Sequence, residues 1–88
     1  MINKNLYNRI ISSKVKQLII KQNISNEYFF ECIGISKEQG NMILKDEIEW
    51  DLFVIHKIIN KFEIDIEKII PSDQDINEWI TNDNVNSK

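Results

Sequence analysis

Apolar residues recur along the first quarter of the chain with the three- and four-residue spacing of an amphipathic helix. This pattern predicts a first helix of about five turns, which Asn23 interrupts. Its apolar positions are Leu6, Ile10, Ile11, Val15, Leu18 and Ile19. Basic residues fall mostly between them, so one face of the helix is expected in a core and the other in water.

Two shorter helices are predicted next, separated by a glycine. Ser25 is a favourable N-cap for the second helix, and Gly34 lies where a left-handed residue would close it. The apolar side of this helix consists of Phe29, Phe30 and Ile33. Ser36 and Gln39 have the spacing of a capping box, in which each side chain satisfies a backbone N–H of the other. They predict a third helix that runs to about Lys45.

The widest apolar stripe belongs to a fourth predicted helix, which is expected to form the spine of the core. Asp46 is followed by Glu49 at nearly the spacing of a capping box, and this pair predicts the start of the helix. The stripe consists of Trp50, Phe53, Val54, Ile55, Ile58, Ile59 and Phe62.

Two short segments complete the pattern. Asp65 is expected to cap a fifth helix through Ile70, before Pro71 ends it, and Ser72 with Asp75 is expected to cap a last turn. The inward residues predicted for the fifth helix are Ile66, Ile69 and Ile70, and the apolar edge predicted for the last turn is Ile76, Trp79 and Ile80. That edge needs a partner, and it predicts a homodimer or partner interface.

Length and composition place these elements in one all-α domain. The 88 residues, 42% of them hydrophobic, suffice for one core, and two glycines with one proline leave few breakers for a hairpin-rich fold. The expected organisation is a main domain over 1–70, a C-terminal helical extension over 71–80 and a disordered tail over 81–88.

The net charge of −3 is unevenly distributed. Residues 1–45 carry seven basic and three acidic side chains, which gives +4, whereas residues 46–88 carry four basic and eleven acidic side chains, which gives −7. The sequence therefore predicts a basic face and an acidic face.

Several classes of protein are disfavoured. No apolar run approaches the roughly 18 residues that span a bilayer, and the first residues lack a signal-peptide core, so a cytoplasmic protein without membrane association is expected. Cys32 is expected to be a small buried apolar residue. His56 is the only histidine, with no metal-ligand spacing, Ser–His pairing or glycine-rich phosphate loop in the chain. We therefore expect no enzyme, no metal and no cofactor.

One order of residues is more specific than helical periodicity. A Ser-initiated second helix, the turn Ile33-Gly34-Ile35-Ser36, a short third helix, the stretch 52–62 and the stretch 64–70 follow one another. From Ser12 to Ile70 this order resembles the Cro/repressor, or XRE-type, helix-turn-helix family. The resemblance implies a five-helix Cro/repressor-like bundle over residues 1–70, with a short extra C-terminal helix, that binds duplex DNA as a transcription regulator such as a repressor.

In that family the third helix enters the major groove, and the start of the second helix meets the phosphate backbone. The positions implicated by the resemblance are Asn26, Lys37, Glu38, Gln39, Asn41, Met42 and Lys45. Gln39 and Asn41 are the expected base readers, because both side chains can pair bidentately with adenine. Lysine can reach guanine or phosphate, glutamate can accept from cytosine, and methionine can contact a thymine methyl group.

Three departures from the family pattern bear on this expectation. Phe30 and Gly40 exchange the usual small and large partners between the second and third helices, with total volume roughly kept. Ile19 and Leu44 replace a common ion pair by two apolar residues, a change that is often neutral or stabilising. The segment 45–49 is acidic where the family often has Asn-Gly and basic residues, which predicts modest, salt-sensitive affinity or a ligand other than DNA.

The alternative function is a helix-turn-helix scaffold reused for protein contact. Such a module would be an inhibitor, an antitoxin or a phage-type accessory protein that binds a protein partner through the acidic C-terminal half. The acidic segment favours this alternative, whereas Lys37, Gln39, Asn41 and Lys45 on one short helix favour DNA. If the protein dimerises on DNA, half-sites about one helical turn apart are expected.

Overall fold

Backbone hydrogen bonding divides the chain into five α-helices and one 3₁₀ turn in the computed structural model, which describes the backbone of residues 4–86 and the side chains of residues 5–81. The helices are α1 (Lys4–Gln22), α2 (Asn26–Ile33), α3 (Lys37–Leu44), α4 (Leu52–Phe62) and α5 (Asp73–Asn86), with a 3₁₀ turn at Ile66–Lys68. The described residues contain no strand. The all-α fold class is thereby confirmed.

Local capping sets the ends of α2 and the start of α3. The Ser25 side chain accepts a hydrogen bond from the backbone N–H of Tyr28 at 3.1 Å. Gly34 has φ +74°, and its N–H donates to carbonyl groups of the last turn of α2. Ser36 accepts from the Gln39 N–H at 3.0 Å, whereas the Gln39 side chain does not return a bond to Ser36. The predicted capping box is therefore half formed.

The fourth helix begins six residues later than predicted. Asp46 has φ +62°, a left-handed conformation through which a right-handed helix does not propagate. Its carboxylate accepts from Ser12 of α1 and does not cap a helix. Asp51 is the N-cap of α4 and accepts from the Phe53 N–H at 2.7 Å. The Phe53 side chain is exposed, so its assignment to the apolar stripe was wrong.

The segment between α4 and Pro71 also differs from the prediction. Asp65 occupies the N-cap position without a side-chain hydrogen bond, and only a 3₁₀ turn of three residues follows. Proline disfavours the α conformation of the residue before it, which leaves little room for a longer helix ahead of Pro71. Ile69 is fully buried as predicted, but Ile66 is exposed.

The main core lies between α1, α2, α3 and α4. Its buried residues are Ile11, Val15, Ile19, Phe29, Phe30, Ile33, Leu44, Val54, Ile55, Ile58 and Ile69. The rings of Phe29 and Phe62 stack at 5.4 Å, which joins α2 to the end of α4. Ile19 and Leu44 belong to the same cluster, so both replacements of the family ion pair are buried in apolar surroundings. Cys32 is half-buried and not fully enclosed.

The last helix packs on the first half of α1 through a second, smaller core. Leu6 and Ile10 of α1 meet Ile76 of α5, with Trp79 and Ile80 packed against them. The helix runs to Asn86, whereas a disordered tail was predicted from residue 81. No glycine or proline follows Ile80, so the helical hydrogen bonds meet no breaker; residues 87 and 88 lie outside the described part. Among the described residues, no helix has the length and apolar content needed to span a membrane.

Candidate nucleic-acid interface

The seven residues implicated by the resemblance all lie on or beside the predicted helix-turn-helix. Asn26 begins α2, Lys45 follows the end of α3, and the other five lie in α3. Asn41 is half-buried, and the remaining six are exposed. The fold therefore brings these positions to the surface, as a binding helix requires.

The inner face of α3 fixes which of its side chains point outward. Gly40, Ile43 and Leu44 are buried, so the opposite side of the helix is centred on Glu38, Met42 and Lys45. We call these three residues the α3 ridge. At about 100° per residue, Gln39 and Asn41 lie on opposite flanks of the ridge. The two expected base readers therefore do not share one line along the helix.

The position of α3 against α2 depends on the contact between Gly40 and Phe30. A Cβ atom added at Gly40 would lie 2.5 Å from Cδ1 and Cε1 of the Phe30 ring. Phe30 is buried, so its ring has little room to move aside. The exchange of large and small residues inferred from the sequence corresponds to this close packing of α2 against α3.

A polar network ties the segment after α3 to α1. The buried hydroxyl of Ser12 donates to Asp46 Oδ1 at 2.6 Å and accepts from Trp50 Nε1 at 2.9 Å. One turn earlier, Asn8 Oδ1 accepts from the Trp50 backbone N–H at 2.8 Å. We call residues 46–51 the α3–α4 connector, and this network holds it in one conformation. Sequence reasoning missed it, although Ser12 is a polar residue among apolar positions of α1.

The charge around α3 is negative. Residues 26–51 carry seven carboxylates and two lysines, a net charge of −5. The carboxylates are those of Glu27, Glu31, Glu38, Asp46, Glu47, Glu49 and Asp51. The positive half predicted from the sequence owes five of its seven basic residues to α1. Of these, Arg9 lies over the Trp79 ring and Lys14 pairs with Asp75 at 3.0 Å, so both interact with α5.

Two large apolar side chains at the start of α4 adjoin the connector. Leu52 is 78% exposed and Phe53 is 64% exposed. The ammonium group of Lys57 lies 4.6 Å from the centre of the Phe53 ring. The predicted apolar stripe left out Leu52 but included Phe53, because apolar residues run without a break from Leu52 to Ile55.

The apolar edge of α5 that was predicted as a dimer or partner interface packs against α1. Ile76 is buried against α1, and Trp79 and Ile80 are half-buried beside it. The edge therefore has a partner within the same chain, and the observation that suggested an interface there is explained by packing. Dimerisation itself stays a prediction.

A cleft of about 440 Å³ lies between α1 and the segment after α4. Lys14, Lys21, Lys68, Glu63 and Asp65 contribute to its lining, and this mixture of charges favours no one class of ligand. Within the part of the chain that the structure describes, no group of three or more His, Cys, Asp or Glu residues is placed to hold a metal ion. Comparison of the chain with protein-family models, with curated proteins and with solved structures finds no match.

Proposed function

We propose that the protein binds duplex DNA and regulates transcription, with α3 as the reading helix of an XRE-like helix-turn-helix. The observation that carries this proposal is the outward face of α3, where polar and charged side chains stand clear of the core on consecutive turns. The left-handed Gly34 and the capping Ser36 set the direction of α3 relative to α2. A helix held at the surface in this way has the shape that enters a major groove.

The α3 ridge and Lys37 have chemistry suited to base edges. Lys37 and Lys45 can donate to guanine or to phosphate, and Glu38 can accept from the amino group of cytosine. Met42 can contact a thymine methyl group. Asn26, the first residue of α2, is the expected phosphate contact. Asn41 and Gln39, on opposite flanks of the ridge, can each pair bidentately with adenine.

The test is selection from a random duplex pool across a salt series, followed by titration of the selected duplex with variants. Lys37→Ala, Glu38→Ala and Met42→Ala should each relax the selected sequence, with losses of about 1–3 kcal/mol for a direct base contact. Gln39→Ala and Asn41→Ala should relax it at adenine positions. Absence of binding at low salt would contradict the proposal.

Charge-matched variants separate a phosphate contact from a general loss of positive charge. Lys45→Ala should reduce the slope of log affinity against log salt by about one if Lys45 meets a phosphate. Lys61→Ala removes the same charge from the exposed side of α4 and should leave the slope nearly unchanged. Equal effects of the two substitutions would argue against DNA contact through α3.

A second candidate function is favoured by the net charge of −5 over residues 26–51. Such a surface repels phosphate and attracts cationic groups, so the same scaffold is suited to a protein partner. This candidate differs from the protein-contact module considered above in its surface, because that module was expected to use the acidic C-terminal half. Selective DNA binding by the unmodified protein would count against it.

A further inference from the structure

The start of α4 presents a pair of large apolar side chains that are mostly exposed. Leu52 and Phe53 are mostly exposed, whereas Val54 and Ile55 directly after them are buried. Both exposed residues belong to the first turn of a helix capped by Asp51, so their positions are set by regular structure. The two neighbouring side chains form a small apolar patch, and apolar patches rimmed by polar residues mark interaction sites.

The α3–α4 connector supplies one side of this surface with negative charge. It contains four carboxylates and no basic residue. The Asp46 carboxylate is held by Ser12, and the Asp51 carboxylate is held by the Phe53 N–H. Lys57 covers part of the Phe53 ring from the following turn. The surface therefore has an apolar centre and an acidic margin that is fixed to α1.

We propose that Leu52 and Phe53, together with the connector, bind a cationic amphipathic segment of a partner protein. Apolar side chains of that segment would bury Leu52 and Phe53, and its Lys or Arg residues would meet the carboxylates of the connector. A second copy of this chain does not fit, because a two-fold contact would place one acidic margin against another. This inference rests on the second candidate function and names its surface and its partner chemistry.

The probe for this surface is a synthetic helical peptide of leucine and lysine in amphipathic order, with binding followed by fluorescence anisotropy. Leu52→Ala/Phe53→Ala should weaken binding about tenfold, because both apolar anchors are lost. Ile20→Ala is the matched control, since Ile20 is 77% exposed on α1 and should leave the affinity unchanged. Glu47→Lys should weaken binding without removing apolar area.

Two outcomes would overturn the inference. The first is equal peptide affinity in the unmodified protein and in the double variant, with unchanged circular dichroism. The second is equal affinity for a control peptide in which every lysine is replaced by glutamate. The selection from random duplexes distinguishes the two failures: selective DNA binding counts against the second candidate function, whereas peptide binding that ignores the double variant or the lysines counts against this surface alone, even where no duplex is selected.

Discussion

Gly40 is the residue at which α3 comes closest to α2. Glycine within a helix costs about 1 kcal/mol relative to alanine, yet the Phe30 ring occupies the space that an alanine methyl group would need. At this position helix propensity favours alanine, whereas the contact with Phe30 favours glycine. Phe30 is buried and has little room to move aside, so the contact outweighs the propensity.

We predict that Gly40→Ala destabilises the protein by about 1–3 kcal/mol despite its better helix propensity, because overpacking of a buried contact outweighs it. Urea unfolding measures the change. In a Phe30→Ala background the same substitution should be neutral or stabilising, because Cγ, Cδ1 and Cε1, the atoms near the new methyl group, are gone. Equal effects of Gly40→Ala in the two backgrounds would show that Phe30 is not the obstacle.

Ser12 shows how one hydroxyl group connects distant parts of the chain. It donates to Asp46 and accepts from the Trp50 indole, so its buried oxygen is satisfied on both sides. The left-handed conformation of Asp46 is unfavourable for most residues, and this hydrogen bond helps to hold it. Because Asp46 is left-handed, the chain turns away from the axis of α3 at this residue and does not continue the helix.

At the scale of elements, α5 is attached to α1 by apolar and polar contacts together. Ser72 and Asp75 form a reciprocal capping box, with hydrogen bonds of 3.0 and 3.1 Å, and Asp75 also pairs with Lys14. The backbone N–H of Ser72 and the side chain of Lys14 both lower the pKa of Asp75 below its ordinary value of 3.8. The helix start is therefore sensitive to acid.

We predict that Asp75→Asn destabilises the protein by about 1 kcal/mol at pH 7, through a weaker cap and a lost ion pair. Because the folded-state pKa of Asp75 is lowered, its contribution is complete above about pH 5 and is lost as the pH falls through 3.8 and then through the folded-state value. Urea unfolding at several pH values should therefore show the difference from the unmodified protein shrinking toward pH 3.

Asp73→Asn is the control for this measurement. Asp73 lies in the same first turn and is exposed, so its substitution changes the helix-start charge without touching Lys14. Its effect should be smaller. If Asp73→Asn and Asp75→Asn behave alike, helix polarity alone accounts for the stability, and the contact with α1 contributes nothing measurable.

At the scale of the whole molecule, part of the positive charge of α1 is engaged by α5, and the segment after α3 is acidic. Arg9 and Lys14 interact with α5, while the connector places its carboxylates directly after α3. A DNA-binding role must then depend on few lysines, and its affinity must fall steeply with salt. The same arrangement makes the connector a sensitive place to alter binding.

We predict that Glu47→Lys strengthens duplex binding at low salt and makes the salt dependence steeper by about one, because a repulsive charge near phosphate becomes an attractive one. Glu78→Lys makes the same change of charge on the exposed side of α5 and should have a smaller effect. Filter binding or anisotropy across a salt series measures both. A gain no larger for Glu47→Lys than for Glu78→Lys would place DNA away from the connector.

Signals within three or four residues determined much of this protein by themselves. Ser25, Gly34 and Ser36 fixed the ends of α2 and the start of α3, because caps and a left-handed glycine act on neighbouring backbone groups. The spacing of apolar residues likewise identified α1 and the buried part of α4. The resemblance, and not the periodicity, implied a surface position for the seven candidate residues, of which six are exposed and Asn41 is half-buried.

Only the tertiary structure decided the features that depend on distant residues. Asp46 bonds to Ser12, 34 positions away, so α4 begins at Leu52 and Phe53 stays in solvent. The apolar edge of α5 is covered by α1, and Arg9 and Lys14 of α1 interact with α5. Such contacts depend on how helices are placed together in space, and that placement sets both the charge beside α3 and the surfaces left for a partner.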